Sequence, residues 1–205
     1  MALMLAIPEE ASAQYYRPQR PAFGYRHRPH AYVGGHLMGM AIANQATDFD
    51  YMGHGGGGGL YGGFRLSPFF AIEGNWMITY HDAAWGDRNT IDVINAFYIM
   101  SFTADAKIYI PTFGPLEPYF QAGIGFAYTG TSGYDDGWTY DEPTVWASGP
   151  TFNAGGGLDF YLGPHLAFGG RLLYRGFYFS APDIPNGKTN YLSGVSLDLN
   201  ITYHF

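Results

Sequence analysis

The sequence lacks cysteine altogether, and only 13% of its 205 residues are charged, against roughly 25% in an ordinary soluble domain. Disulfide bonds therefore contribute nothing to the fold. Long apolar runs are missing as well, because a membrane-spanning helix needs about 18 uninterrupted apolar residues. One of the longest runs, from Ala96 to Met100, is far shorter. The lack of such runs excludes a helical membrane protein.

What the sequence has in quantity is apolar, aromatic and glycine residues. Apolar residues make up 47% of the chain and aromatic residues 19%, and there are 30 glycines. An apolar content this high excludes an intrinsically disordered chain, which has too little apolar surface to bury. The length is that of one domain, or at most two.

The first 30 residues differ in composition from the rest. An apolar run from Ala2 to Ile7 precedes Ala11-Ser12-Ala13, which is typical of a signal-peptidase site. We therefore interpret residues 1–13 as the remainder of an export signal that starts upstream. Residues 14–30 form a basic arm rich in Pro, Tyr and His, which is either a periplasmic arm that touches a partner or a solvated linker. Residues 31–205 have an acidic excess, which argues against a nucleic-acid partner.

The last 15 residues alternate between apolar and polar side chains. Strand side chains point alternately to the two faces of a sheet, so this alternation predicts a β-strand with one apolar and one polar face. The polar face includes Asp198, Asn200 and His204. The other face carries Tyr191, Ser193, Val195, Leu197, Leu199, Ile201, Tyr203 and Phe205.

The same alternation recurs upstream and predicts an all-β fold of eight strands. In the first strand the assignment of faces is ambiguous, because Tyr32, His36 and Met40 compete with Val33 and Leu37. The predicted strands lie at about 31–44, 55–66, 70–80, 91–110, 119–128, 152–162, 165–178 and 191–205.

The predicted connections alternate in length. Short ones, at 67–68, 111–118 and 163–164, alternate with long ones, at about 45–54, 82–90, 130–150 and 179–190. Short turns at one end and long loops at the other are the layout of a bacterial outer-membrane barrel. The sheet of such a barrel is closed, so the backbone polar groups that face lipid are all hydrogen-bonded to neighbouring strands. The sequence thus predicts an eight-stranded antiparallel up-and-down transmembrane β-barrel with both termini in the periplasm.

A soluble eight-stranded barrel, such as a lipocalin-like carrier, alternates in the same way but turns its polar face to water. For this chain that surface would be sparsely charged. With the apolar face in lipid, Trp76, Phe126, Leu172 and Leu199 belong to a lipid-facing belt, and the charged residues lie inside, where they must pair. The second arrangement is favoured and predicts an interior charge network of Arg65, Lys107, Arg171, Arg175, Glu73, Asp105, Asp159 and Asp198.

Three segments carry a resemblance to a known family. The final strand, with Ile201, Tyr203 and C-terminal Phe205, resembles the assembly signal of outer-membrane β-barrels. The segments from Tyr32 to Gly35 and from Gly62 to Gly74 are similar to those of the small OmpA-type, eight-stranded outer membrane protein beta-barrel family, and the likeness covers residues 31–205. The resemblance implies insertion by the outer-membrane assembly machinery among membrane lipids and lipopolysaccharide. It implies no particular activity.

Two motifs match the sequence pattern of a cofactor or metal site but lack a feature that such a site requires. Gly57-x-Gly59-x-x-Gly62 matches the dinucleotide fingerprint, but a strand follows where that fingerprint requires a helix. The segment from Asp48 to Gly53 begins like a calcium loop, but Gly59 stands where a glutamate is required. We therefore expect no cofactor and no metal site, and we interpret the glycines as close-packing positions in a curved sheet.

The longest predicted loop is the candidate recognition site. An external loop of this length and aromatic content suits an extracellular or host ligand. Alternatively, its carboxylates bind divalent cations that bridge lipopolysaccharide, and its aromatic rings rest at the membrane interface. The residues concerned are Tyr134, Asp135, Asp136, Trp138, Tyr140, Asp141, Glu142 and Trp146.

Some outer-membrane barrels are lipid A deacylases, which need a serine activated by a histidine and an acid. Of the seven histidines, His81, followed by Asp82, is the nearest to a catalytic pair, and it has no obvious serine partner. We predict a structural or surface-interacting protein that is not an enzyme. A lipid A deacylase-like enzyme and a soluble lipocalin-like barrel are the alternatives.

Overall fold

A computed structural model describes residues 30–44, 51–84, 94–112, 114–131, 144–180 and 189–205. None of the described residues forms a helix long and apolar enough to cross a membrane. The strands have 15 to 18 residues each, more than the roughly 9–11 that a membrane-spanning strand needs. They are β1 His30–Asn44, β2 Tyr51–Arg65, β3 Phe70–Ala84, β4 Ile94–Tyr109, β5 Leu116–Thr131, β6 Thr144–Tyr161, β7 Leu166–Ser180 and β8 Thr189–His204.

The eight strands form one closed barrel. Each strand pairs antiparallel with its neighbours in sequence, and β1 pairs with β8 to complete the circle. The register at this closure runs from Tyr32 opposite His204 to Asn44 opposite Ser193. A closed sheet has no free edge, so the backbone groups of its strands bond to one another. The fold class predicted from the sequence is confirmed.

Short turns join β2 to β3, β4 to β5 and β6 to β7 at one end of the barrel, which we call the short-turn end. In the first turn, Leu66 N donates to Phe70 O at 2.9 Å. The first and last strands begin and end here too, and Phe205 N donates to Ala31 O at 3.0 Å. Four other connections, three of them longer than any of these turns, join the strands at the opposite end, and their residues (45–50, 85–93, 132–143 and 181–188) lie outside the described part of the chain.

Several strand boundaries differ from those expected from the sequence. Pro118 was expected in a turn but lies in β5, where its carbonyl accepts a hydrogen bond from Ile110 N at 2.8 Å. His54 was expected in a loop but lies in β2, and His30, expected in the arm, begins β1. His165 was expected on a strand but lies in the turn before β7. A strand in a closed sheet continues as long as its backbone finds a hydrogen-bonding partner. Strands can therefore extend beyond the residues whose hydropathy alternates.

Side chains alternate between an outer wall and the barrel interior. In β1 this settles the ambiguous faces: Tyr32, His36 and Met40 are buried, whereas Val33 and Leu37 are 48% and 74% exposed. A slip of one residue in the pairing with β2 and β8 would reverse every one of these side chains. The pairing partners therefore decide the faces of β1.

Glycines make room for the large side chains that fill the interior. The Tyr32 ring lies over Gly63 of the neighbouring strand, where a Cβ would stand 2.5 Å from its hydroxyl oxygen. The Tyr119 ring lies over Gly157 in the same way, at 2.6 Å. Many of the 30 glycines thus permit the close packing that the sequence suggested.

Candidate functional site: the charge network of the barrel interior

Arg171 is the centre of a hydrogen-bonded network inside the barrel. Its guanidinium donates from Nε to Asp198 Oδ2 at 2.7 Å and from Nη1 to Glu73 Oε1 at 3.2 Å. It also donates from Nη2 to His36 Nδ1 at 2.7 Å. The same ring nitrogen lies 3.2 Å from Asp198 Oδ2, so His36 contacts both the guanidinium and the carboxylate. Arg171 thus joins residues of β1, β3 and β8 across the interior.

Glu73 and Asp198 each bind a second cation. Lys107 Nζ lies 2.5 Å from Glu73 Oε2, and Arg175 Nη2 lies 3.1 Å from Asp198 Oδ2. All four of these side chains are at most 3% exposed. The low local dielectric strengthens ion pairs at this depth, and this gain partly offsets the cost of taking the charges out of water.

Tyrosine rings surround the ammonium group of Lys107. Its Nζ lies 4.8 Å from the ring centroid of Tyr119, 5.3 Å from that of Tyr61 and 5.6 Å from that of Tyr32. A cation within about 6 Å of an aromatic face is attracted by the ring quadrupole. The rings also leave little space for water beside the pair that Lys107 makes with Glu73.

A second ion pair lies at the short-turn end. Arg65 donates from Nη1 to Glu117 Oε2 at 2.7 Å and from Nη2 to Glu117 Oε1 at 2.8 Å, which is a bidentate arrangement. Tyr161 donates to the same carboxylate at 3.1 Å, and the guanidinium carbon lies 4.1 Å from the Tyr109 ring centroid. Glu117 was missed in the sequence because it was assigned to a turn. Extending the next strand by two residues would have placed it on the inward face with Tyr119 and Gln121.

Two of the predicted network members form no ion pair among the described residues. Asp105 instead accepts hydrogen bonds from Gln121 Nε2 at 2.7 Å and from Asn153 Nδ2 at 2.8 Å. Asp159 is 4% exposed, and its Oδ1 has no hydrogen-bond partner. The expectation that all eight charges pair with each other is therefore wrong for these two aspartates. Side-chain amides replace a cation at the first, and no ion pair compensates the second.

An apolar layer lies between the charge network and the long connections, a feature that the sequence did not predict. Among the described residues it forms one cluster, in which methionine and phenylalanine replace the polar side chains expected inside. Its members are Met38, Met40, Met77, Phe97, Ile99, Ala127, Phe177, Phe179 and Leu192. Side chains thus fill the interior at this level.

With this geometry in place, the chain can be compared with known proteins. No protein-family model matches it, and no curated protein matches its sequence. The structure of Neisserial surface protein A (NspA) matches with a TM-score of 0.63 and 12% identity, over 85% of this chain and 97% of that one. The outer membrane protein OprG from Pseudomonas aeruginosa matches with a TM-score of 0.59 and 11% identity, over 87% and 97%. The attachment invasion locus protein Ail of Yersinia pestis matches with a TM-score of 0.50 and 15% identity, over 87% and 99%.

This chain has the fold of the small outer-membrane β-barrels. The resemblance noted in the sequence is confirmed at the level of the fold. Identities of 11–15% carry no residue-by-residue correspondence, so the roles of individual side chains rest on the geometry of this barrel alone.

The C-terminal strand of this small barrel turns its apolar residues outward. Ile201, Tyr203 and Phe205, the proposed assembly signal, are 46%, 48% and 56% exposed. The His165 ring stacks on Tyr203 with centroids 5.8 Å apart. These side chains form a continuous apolar surface at the short-turn end of β8.

The histidine considered for catalysis lies inside the barrel. His81 is 1% exposed, and its Nε2 lies 3.0 Å from Thr79 Oγ1 while its Nδ1 lies 3.2 Å from Gly53 O. The side chain of Asp82 lies outside the described part. The loop residues from Tyr134 to Glu142 and the Trp146 side chain also lie outside it.

Proposed function

We propose that this chain is an integral outer-membrane barrel with a structural or surface-interaction role, a side-chain-filled interior and no open pore. The observation that carries the proposal is the polarity of the barrel, which is apolar outside and charged inside. Leu37 and Ile124 are each 74% exposed and Leu199 is 65% exposed, whereas Arg171 and Asp198 are at most 2% exposed. A soluble carrier requires the reverse arrangement, because exposed apolar area costs roughly 25 cal/mol per Å² in water.

The interior supports the statement that the barrel is not a channel. Eight strands enclose a space that side chains can just fill. Here the Arg171 network occupies the middle of the barrel. The apolar layer, whose members include Met38 and Leu192, separates this network from the long connections. An ion on this path would have to displace paired charges and then lose its hydration.

We further propose that the termini and short turns face the periplasm and that the long connections face outward. This orientation follows the general plan of bacterial barrels and is supported by the apolar surface of Ile201, Tyr203 and Phe205, which suits recognition by the assembly machinery. Membrane lipid and lipopolysaccharide then contact the outer wall. The connection that contains Asp135 and Trp138 is the proposed site for an extracellular or host ligand. The names of two structural relatives, a surface protein and an attachment protein, support a surface role.

We propose that the barrel is not an enzyme. A lipid-directed enzyme needs its nucleophile and base where lipid reaches them, whereas His81 is buried next to Thr79. Purified protein should therefore leave lipid A unchanged, and a His81→Ala variant should behave like wild type. Deacylation or acylation of lipid A that the variant abolishes would overturn this part of the proposal.

The lack of native cysteine allows a direct test of membrane placement and orientation. Gly137→Cys in the longest connection should react with a membrane-impermeant maleimide on intact cells. The matched control is Gly163→Cys in a short turn, where a Cβ meets nothing within 4 Å; it should react only after the cells are broken. The reverse pattern would overturn the orientation. A matured chain that stays monodisperse in buffer without detergent would overturn the membrane placement.

A ligand that binds through the long connections would be lost when residues 132–143 are deleted. Binding of purified lipopolysaccharide and of host-cell surfaces should be compared for the full chain and the deletion. If binding is identical in both, the recognition site is not in this connection.

A further inference from the structure

Four aromatic rings pack together on the outer wall, toward the end of the barrel with the long connections. They are Phe152 on β6, Tyr174 and Tyr178 on β7, and Tyr191 on β8. The ring centroids of Tyr178 and Tyr191 are 4.8 Å apart, and that of Phe152 lies 6.1 Å from Tyr174 and 6.3 Å from Tyr178. These separations are those of aromatic pairs in contact. We call this surface the aromatic platform.

A glycine makes the platform continuous. Gly176 lies between Tyr174 and Tyr178 on β7, on the same side of the strand, and it is the cross-strand partner of Phe152. The Phe152 ring lies over this glycine, because a Cβ there would stand 2.2 Å from Phe152 Cε1. The ring therefore fills the space between the two tyrosines.

The platform also carries a pair of hydroxyl groups. Tyr174 Oη and Tyr191 Oη are 2.7 Å apart and share a hydrogen bond. A hydroxyl group has one donor and two acceptor lone pairs, so the pair can accept further hydrogen bonds from a group outside the barrel. Tyr174 and Tyr178 are 38% and 41% exposed. The platform thus presents ring faces and polar oxygen atoms side by side.

The platform lies at one boundary of the apolar wall. Phe168, an exposed ring near the short-turn end of β7, precedes Tyr178 by ten residues. Ten residues span about 33 Å along a strand, or about 25 Å along the axis of a tilted barrel, which is the usual height of the lipid-facing band. Tyrosine rings are favoured at this boundary. Leu172, which is exposed between the two rings, lies at the level of the acyl chains.

The chemistry of the platform suits an uncharged polar ring. Phosphate groups are bound mainly by arginine and lysine, and the basic residues in the described part of the chain all point into the barrel. These are Arg65, Lys107, Arg171 and Arg175. A sugar ring has an apolar face of C–H groups, which packs on an aromatic ring, and a rim of hydroxyl groups, which form hydrogen bonds. The platform offers a partner for both.

We propose that the aromatic platform binds the sugar headgroup of a glycolipid in the outer leaflet. The sugar packs on Tyr178 and Phe152 and forms hydrogen bonds with the hydroxyl pair of Tyr174 and Tyr191, while the acyl chains lie along the wall beside Leu172. This inference rests on the membrane placement and orientation proposed above. It adds a lipid-binding site at one side of the barrel, on β6, β7 and β8, that is separate from the long connections.

The test uses the full chain in micelles of a sugar-free detergent, lauryldimethylamine oxide. Binding of lipid A and of phosphatidylglycerol is titrated by native mass spectrometry. Both lipids carry phosphate and acyl chains, so the comparison isolates the sugar, and the wild type should prefer lipid A.

The double variant Tyr174→Phe/Tyr191→Phe keeps the rings and removes the hydroxyl groups. It should weaken lipid A binding by about tenfold, as expected when hydrogen bonds of ordinary strength are lost. Tyr178→Leu removes a ring face and should weaken lipid A binding too, without changing the binding of phosphatidylglycerol. The matched control is Tyr80→Phe, at a tyrosine on β3 that is 49% exposed, and it should bind lipid A as the wild type does.

The proposal would be overturned by a wild type that binds both lipids equally or by a double variant that binds lipid A as tightly as the wild type. A Tyr80→Phe variant that loses as much as the double variant would also overturn it, because any tyrosine at the boundary would then serve. These outcomes leave the membrane placement intact, since the labelling of Gly137→Cys and Gly163→Cys tests that placement without added lipid.

Discussion

Arg171 and Asp198 lie directly opposite each other on β7 and β8, with Nε and Oδ2 2.7 Å apart. Through the same guanidinium, Asp198 is connected to His36 on β1 and to Glu73 on β3. The pair therefore stands beside the seam between β1 and β8 where the barrel closes. A slip of one residue in the pairing would turn one of the two side chains to the outer wall. The pair therefore stabilises this register relative to registers shifted by one residue.

Glu73→Gln should destabilise the barrel by about 3 kcal/mol or more, because it leaves Lys107 and Arg171 short of a buried counter-charge. The free energy of unfolding in urea, measured in lipid vesicles, tests this. The control is Asp105→Asn, which removes a buried carboxylate that has no ion pair. Equal losses in the two variants would mean that the ion pairs of Glu73 contribute nothing specific.

The Arg65–Glu117 pair should show strong energetic coupling. Arg65→Met and Glu117→Gln each leave the partner charge buried and unpaired, whereas the double variant removes both charges. The double variant should therefore lose less stability than the sum of the single variants, with a coupling energy of about 1–3 kcal/mol. Additive losses in a double-mutant cycle would contradict the bidentate pairing.

Gly57→Ala should destabilise or prevent folding, because a Cβ at this inward position overlaps the backbone carbonyl of Ile78 on the neighbouring strand. Backbone cannot move aside as a flexible side chain does, and overpacking of this kind costs about 1–3 kcal/mol. Gly39→Ala is the matched control, since a Cβ there meets nothing within 4 Å. It should leave the barrel as stable as wild type or slightly more so, because alanine is less flexible than glycine. Folding yield and unfolding free energy distinguish the two.

Leu199→Arg should cost about 2–4 kcal/mol in a bilayer, because its side chain is 65% exposed on the apolar wall. The control Leu66→Arg changes an exposed residue at the edge of the wall and should cost about 0–1 kcal/mol. Both are measured by reversible unfolding from vesicles. In a water-exposed barrel neither change would matter, so equal and small effects would contradict the lipid-facing assignment.

Much of the fold could be predicted from local pattern. In β8 every second residue from Val195 to Tyr203 is apolar, so both its faces and its strand character follow from the sequence. The first strand was different, because Met38 and Met40 are apolar residues that lie inside. In this barrel polar side chains generally point inward, and the apolar layer of the interior is an exception. No local pattern in the sequence identifies the apolar residues that point inward.

Most members of the charge network, though not Glu117, could be predicted from the sequence, whereas their pairing could not. That Arg171, Glu73 and Asp198 point into the barrel follows from the alternation of side chains along their strands. That Arg65 meets Glu117, on a strand far away in sequence, depends on how the closed sheet brings β2 and β5 across from each other.

The sequence by itself determined the number of strands, the polarity of the two walls and most of the charged residues of the interior, because these depend on side chains two residues apart on one strand. The tertiary structure alone decided which charges pair, which aspartates form no ion pair with the described residues and where apolar side chains close the interior. Those outcomes depend on the stagger of eight strands around the barrel, which brings together residues as far apart as Arg171 and Glu73.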